Sequence, residues 1–263
     1  MEELVYYIPE ELLPFKEQLL ATKQPFIEII PAETAPEHPW QSKFGGNPYL
    51  PKGTEFPRDP EGRHLFFLAQ INFEEVPEFA PFPAKGMLQF YIADDELFGQ
   101  NPDQPKEQHR FRVLYFPETI TDTSQLQSDF SFLPEYGELP VYPGQSYGMI
   151  FEMSREIVPF TDYQFAHHFS EDFFAQFGEK QWEVLGLYQE EVSSEGHKIG
   201  GYAHFAQEDF RSPENPLVLL FQMDTDVEME SMWGDMGTAN FFIDEADLKQ
   251  LDFSKVLYHW DSH

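Results

Sequence analysis

LFFLAQINF (residues 65–73) and LVLLFQMDTD (residues 217–226) are the stretches whose reading decides the fold. Each is an apolar run of strand length interrupted by one glutamine, Gln70 in the first and Gln222 in the second. Short apolar runs rich in aromatic and branched residues, bounded by turn residues, read as buried strands. Working outward, the first run is preceded by FGGNPY (44–49) and followed by KGMLQFYIADDEL (85–97) and RVLYFPE (112–118). The second is preceded by IGGYAHF (199–205) and followed by MGTANFFIDEADL (236–248) and KVLYHWD (255–261).

The blocks keep their order and nearly keep their spacing. Gly45-Gly46 correspond to Gly200-Gly201, Gly86 to Gly237, Phe90-Tyr91-Ile92 to Phe241-Phe242-Ile243, and Val113-Leu114-Tyr115 to Val256-Leu257-Tyr258. Such self-similarity predicts duplication. The expected fold is mainly β with a few short helices (α+β), roll-like, with two duplicated β units sharing one core. The units span about 40–118 and 196–261, joined by a partly helical 119–195, in one globular domain over 1–263.

Composition bounds the function. Aromatic residues make up 17%, including 28 Phe, which supports a real core. The 47 acids against 16 bases give a net charge of −31, which repels nucleic acid and anionic membrane and favours basic partners or simple solubility. The chain has no cysteine, which excludes disulfides, thiolate metal sites and a Cys nucleophile. MEELVYYIPEE carries no basic and apolar leader pattern, and no apolar run reaches the length of a membrane span, so the expected location is the cytoplasm.

Elsewhere, PEELLPFKEQLLATK (9–23) reads as a helix with a candidate break at Pro14, and the stretch from Phe26 as a strand. Residues 100–109 read as a polar loop, and 121–138 as irregular with a short helix. SEDFFAQFGE (170–179) reads as a helix capped by Ser170. Ser193 to Gly201 reads as a loop, and DEADLKQLDFS from Asp244 as a short helix or turn.

GGNPYLPKGTEFP, FFLAQINF and WGDMGTANFFI together resemble the YwqG-like family, a bacterial family of unassigned function, over nearly the whole chain. The resemblance implies a mainly β, roll-like, duplicated fold and no known catalytic residues. Some relatives look like parts of toxin–immunity neighbourhoods, which brings an immunity role into view.

Five patterns carry candidate chemistry. Asp224, Asp226, Glu228 and Asp235 stand at EF-hand-like positions, but Met229 occupies the required glycine position and strands flank the loop. Gly144 to Gly148 fits G-x-S-x-G, with weak helical character after Ser146 and no parallel α/β sheet evident. His167-His168 and His259 show no metal-ligand spacing. Gln70 and Gln222 read as structural bridges or as the lining of one pocket between the units. The fifth pattern is an acidic–aromatic face. From Ser212 to Leu248 there is no Lys or Arg, and Asp224, Asp226, Glu228, Glu230 and Asp235 surround Trp233.

The expectation is a binding protein for a basic protein partner, built on those six residues, with no cofactor, no metal and no catalytic residue assigned. The alternative is an enzyme or small-ligand binder using Gln70 and Gln222.

Overall fold

The computed structural model describes residues 8–137 and 139–263. The reading of MEELVYY as lacking a leader therefore lies outside the described residues, as does Glu138 at the end of the irregular stretch.

Ten strands form one sheet: β1 (Gln24–Pro31), β2 (Lys43–Gly45), β3 (Phe66–Asn72), β4 (Met87–Ile92), β5 (Phe111–Phe116), β6 (Ser146–Glu156), β7 (Lys198–Gly200), β8 (Val218–Asp224), β9 (Thr238–Ile243) and β10 (Leu257–Asp261). Their order is β10-β9-β8-β7-β1-β6-β2-β3-β4-β5, and every pair is antiparallel. The fold is thus mainly β, with short helices. The order reads alike from both ends. β1 and β6 lie side by side at the centre, and a four-stranded wing extends on each side, β2–β5 and β7–β10.

The wings match in detail. Lys43 faces Gln70 across β2 and β3, and Lys198 faces Gln222 across β7 and β8. The register shifts between Phe67 and Ala69 in one wing and between Leu219 and Phe221 in the other. One sequence correspondence needs correction. Phe90 faces Val113, but Phe241 faces Tyr258 rather than Val256, so the outermost strands align two residues away from the VLY match.

β3, β4 and β9 are buried along their whole length, which is why their sequences are apolar runs without alternation. The two wings curl toward each other in a nearly closed, barrel-like arrangement. Phe90 lies 4.7 Å from both Phe221 and Phe241, and Phe111 lies 5.2 Å from Tyr258, ring centre to ring centre. These rings belong to one continuous core. The loop after β4 closes against β10. The Trp260 indole donates to Leu97 O (2.7 Å), the Tyr258 hydroxyl to Phe98 O (3.1 Å) and the Tyr258 backbone N–H to Pro105 O (3.0 Å).

The helices flank the sheet. The expected helix at 9–23 is a 3-10 turn over Glu10–Phe15 followed by α1 (Lys16–Leu20). Pro14 supplies no N–H to continue an earlier turn. α2 (Tyr163–His168) is capped by Asp162, which accepts from the Gln164 N–H. A 3-10 run over Phe173–Lys180 leads into α3 (Gln181–Glu191). Ser170 does not cap it; the residue sits at φ 111°. Phe165, Phe173, Phe174, Val184 and Tyr188 from these elements build a second cluster. α4 (Glu245–Lys249) precedes β10.

Two further expectations are corrected. Residues after Ser146, read as weakly helical, form the eleven-residue strand β6. Ser146 therefore opens a strand opposite Gly45 and does not sit on a strand–turn–helix elbow. Lys198–Gly200, read as loop, form β7.

Candidate binding surface and its supporting clamps

In each wing one glutamine ties the sheet to the segments flanking its first strand. The Gln70 amide nitrogen donates to Pro39 O and Gln41 O (both 2.7 Å), and its oxygen accepts from the Tyr49 N–H (2.8 Å) and from Gln89 (3.1 Å). The Gln222 amide donates to Ser194 O and Gly196 O (both 2.8 Å) and accepts from the His204 N–H (2.8 Å). Both glutamines are fully buried, and backbone groups occupy their amides. A buried strand leaves the connecting backbone short of partners, and these amides supply them. Asn72 and Asp224 repeat the theme one step along: the Asn72 N–H donates to Ser42 Oγ (2.8 Å), and the Asp224 N–H to His197 Nδ1 (3.0 Å).

The acidic stretch after β8 divides into three kinds of residue. Asp224 and Asp226 turn inward. Asp224 accepts from the Gly196 N–H (2.7 Å), the Thr225 N–H (2.9 Å) and the Thr238 hydroxyl. Asp226 accepts from the N–H groups of Glu228 (2.7 Å) and Met229 (2.9 Å), which folds the turn back so that Asp226 bridges Ser231. His197 completes the site. Its Nδ1 receives the Asp224 N–H, so its proton sits on Nε2 and donates to Asp226 (3.2 Å). This hydrogen bond, aided by the backbone donors and opposed by partial burial, holds the Asp226 carboxyl at about 2. Carboxylates that already accept several N–H groups are poorly placed to ligate a cation.

Trp233 is the second kind. It is fully buried, packed edge-on against Phe98 (5.8 Å) and beside Trp260 (6.2 Å). This corrects its assignment to an accessible partner surface: the indole anchors the loop to the core, together with the buried Met229.

Glu228, Glu230 and Asp235 are the third kind, and all are exposed. Three apolar side chains stand out between them, Val227 (81% exposed), Met232 (47%) and Met236 (53%). The structure therefore keeps three of the five acids on the surface and adds apolar contacts that were not singled out in the sequence.

The loop continues into a second feature. The Met232 N–H donates to Pro140 O (2.8 Å), and the Gln145 amide donates to Glu230 (3.0 Å). The segment so held borders a cleft of about 770 Å3, walled by Phe66, Phe67, Phe130, Tyr136 and Tyr142 and edged by Glu135. Among the described residues no Lys or Arg lines it. Tyr136 donates its hydroxyl to Leu65 O (2.9 Å), and burial pushes its ionisation up. Tyr142 is 66% exposed. A smaller hollow of about 300 Å3 adjoins the cleft through Pro134, Glu135 and Tyr136 and adds Asp94 and the ion pair of Asp59 with Arg63 (2.7 Å).

Two lysines missed in the sequence sit beside the clamps. Lys198 is buried and paired with the buried Glu156 (2.9 Å), 5.1 Å from the centre of the Phe26 ring. Glu156 also accepts from the Tyr202 N–H (2.6 Å), and a Cβ at Gly201 would collide with its carboxylate. Lys43, also buried, reaches only Pro39 O among the described residues, at 3.5 Å, and desolvation pulls its ammonium down to about 8. The signal was present in the sequence: KFGG and KIGG place each lysine two residues before a matched glycine.

A family profile, described as a domain of unknown function (DUF1963), matches residues 42–262. The chain belongs to this family. The match takes in β2 through β10, and so includes both wings, both clamping glutamines and the acidic loop. A search of the curated proteins found no match. No helix among the described residues is long and apolar enough to cross a membrane.

Proposed function

We propose that this DUF1963 protein is a binding protein that captures a basic protein partner on the loop joining β8 to β9. The carrying observation is the exposed trio Val227, Met232 and Met236 set among Glu228, Glu230 and Asp235. Apolar side chains on a charged surface provide contact area, and surrounding like charges steer an oppositely charged partner and reject others. The loop is pinned from beneath by Trp233, Met229 and the inward-facing Asp224 and Asp226, so the surface is pre-organised and loses little freedom on binding.

In this reading the wings descend from one duplicated β unit, a view supported by the matched register shifts and glutamine clamps. In this reading the protein is a bacterial, cytoplasmic one of the YwqG-like kind, and an immunity-type role suits a surface that would cover a basic protein.

The test is capture from host lysate by the wild type and by a variant carrying Glu228→Lys, Glu230→Lys and Asp235→Lys, at low and high salt. A basic protein retained by the wild type, lost from the variant and released by salt supports the reading. Retention that survives both changes overturns it.

A further inference from the structure

We infer that the aromatic cleft bordering this surface binds a proline-rich segment carrying basic residues, held as a polyproline II helix. The inference rests on the reading of this flank as a partner surface and names the chemistry of what enters it.

The cleft selects its occupant by what it offers and what it lacks. Its lining is aromatic: Phe66 and Phe67 are buried, Phe130 and Tyr136 half-buried and Tyr142 exposed. Flat apolar faces accept pyrrolidine rings, which carry their shape without losing side-chain freedom on binding. The lining comes from Gly46-Asn47, from Phe66-Phe67 and from residues between Phe130 and Gly144. A polyproline segment has few N–H groups and presents its carbonyls outward.

Those carbonyls need donors, and the rim supplies them. The Asn47 amide and the Tyr142 hydroxyl are exposed at the mouth, and neither side chain has a hydrogen-bond partner among the described residues. Charge fixes the rest of the occupant. Glu135 stands at one end, and the hollow beyond it holds Asp94 together with the Asp59–Arg63 ion pair. Glu230 is joined through Gln145 to the other border. No Lys or Arg lines the cleft itself among the described residues, so basic residues flanking the prolines meet Glu135 on one side and Glu230 on the other.

The test is fluorescence anisotropy with the full chain and a labelled synthetic peptide of four consecutive prolines flanked by arginine on each side. Comparison peptides replace every proline by alanine, or every arginine by glutamate. Saturable binding is expected, weakened about tenfold by Tyr142→Ala and several-fold by Glu135→Lys or by raising salt. Both side chains are exposed, so the variants should keep the wild-type circular dichroism and melting. The inference is overturned if the alanine peptide binds as well as the proline peptide, if arginine amide alone competes equally, or if neither substitution changes the affinity. Failure here, with the Glu228, Glu230 and Asp235 variant still losing its partner, would remove the proline-rich segment and leave the acidic docking surface standing.

Discussion

Lys43 and Lys198 occupy the same place in the two wings, each opposite a clamping glutamine, yet the chain treats their charges differently. Beside Lys198 it installs Glu156, and the pair is closed off by Phe26 and the Tyr202 N–H. Beside Lys43 it installs no carboxylate among the described residues, and the ammonium's contact there is a long one to a backbone oxygen. The comparison separates what the framework requires from what each wing can vary. The glutamine clamp recurs with the same kinds of partner, because the backbone flanking a buried strand must be satisfied in both wings. The lysine's counter-charge is not required by that geometry.

The sharpest way to break the comparison is Glu156→Ala. It strands Lys198 in the core, and removing one partner of a buried pair costs about 3–5 kcal/mol. Urea unfolding should show this as a large drop in midpoint. A loss below about 1 kcal/mol would mean that the ammonium escapes to water and that the two lysines are not so different.

Next come the clamps. Gln222→Met leaves Ser194 O, Gly196 O and the His204 N–H without their partner, and Gln70→Met does the same to Pro39 O, Gln41 O and the Tyr49 N–H. Each change is expected to cost about 2–3 kcal/mol. The two clamps share no partner, so the double variant should lose the sum of the single losses. A strongly non-additive result would show that the wings respond as one unit.

Lys43→Met should move stability the other way. The folded ammonium titrates at about 8, below its ordinary value of 10.5. Between those values the unfolded chain holds the proton that the folded chain has given up, so stability rises with pH across that window. Below about pH 8 the cost of burying the charge is fully present. Lys43→Met should therefore stabilise by about 2 kcal/mol at pH 7 and by little above pH 10.5, checked by unfolding at both pH values. Lys198→Met at pH 7 should not stabilise, because it leaves Glu156 buried alone.

Much of this framework could be read before the structure. β3, β4, β8 and β9 are dense apolar runs, and such runs have few alternatives to burial. β6 escaped because Glu152, Met153, Ser154 and Arg155 follow one another on both faces without a buried residue among them, so no apolar–polar alternation shows. β7 escaped because three residues ending in glycine resemble a turn. The candidate surface was legible in composition but not in direction. Five acids and a tryptophan in one loop look alike as letters, but which point outward depends on backbone donors from Gly196, Glu228 and Met229 and on space in the core for an indole. The cleft was not legible, because its walls come from β3 and from an irregular loop some sixty residues later.

The smallest expected effect sharpens the distinction between inward and outward acids. Asp226→Asn removes a carboxylate held at about 2 by its bond to His197 and by two backbone N–H groups. A depressed carboxyl stabilises the fold above its unfolded value of 3.8, and that contribution is lost as pH falls toward 2. Discounted for the solvent that reaches this loop, the contribution at pH 7 is about 1–2 kcal/mol. The variant should unfold at lower urea at pH 7 and depend less on pH between 4 and 2 than the wild type. Glu228→Gln, one turn away and exposed, should change neither quantity while still weakening capture of a basic partner. Equal stability losses for the two variants would mean that the loop's acids act through their summed charge, and its division into supporting and presenting residues would fall.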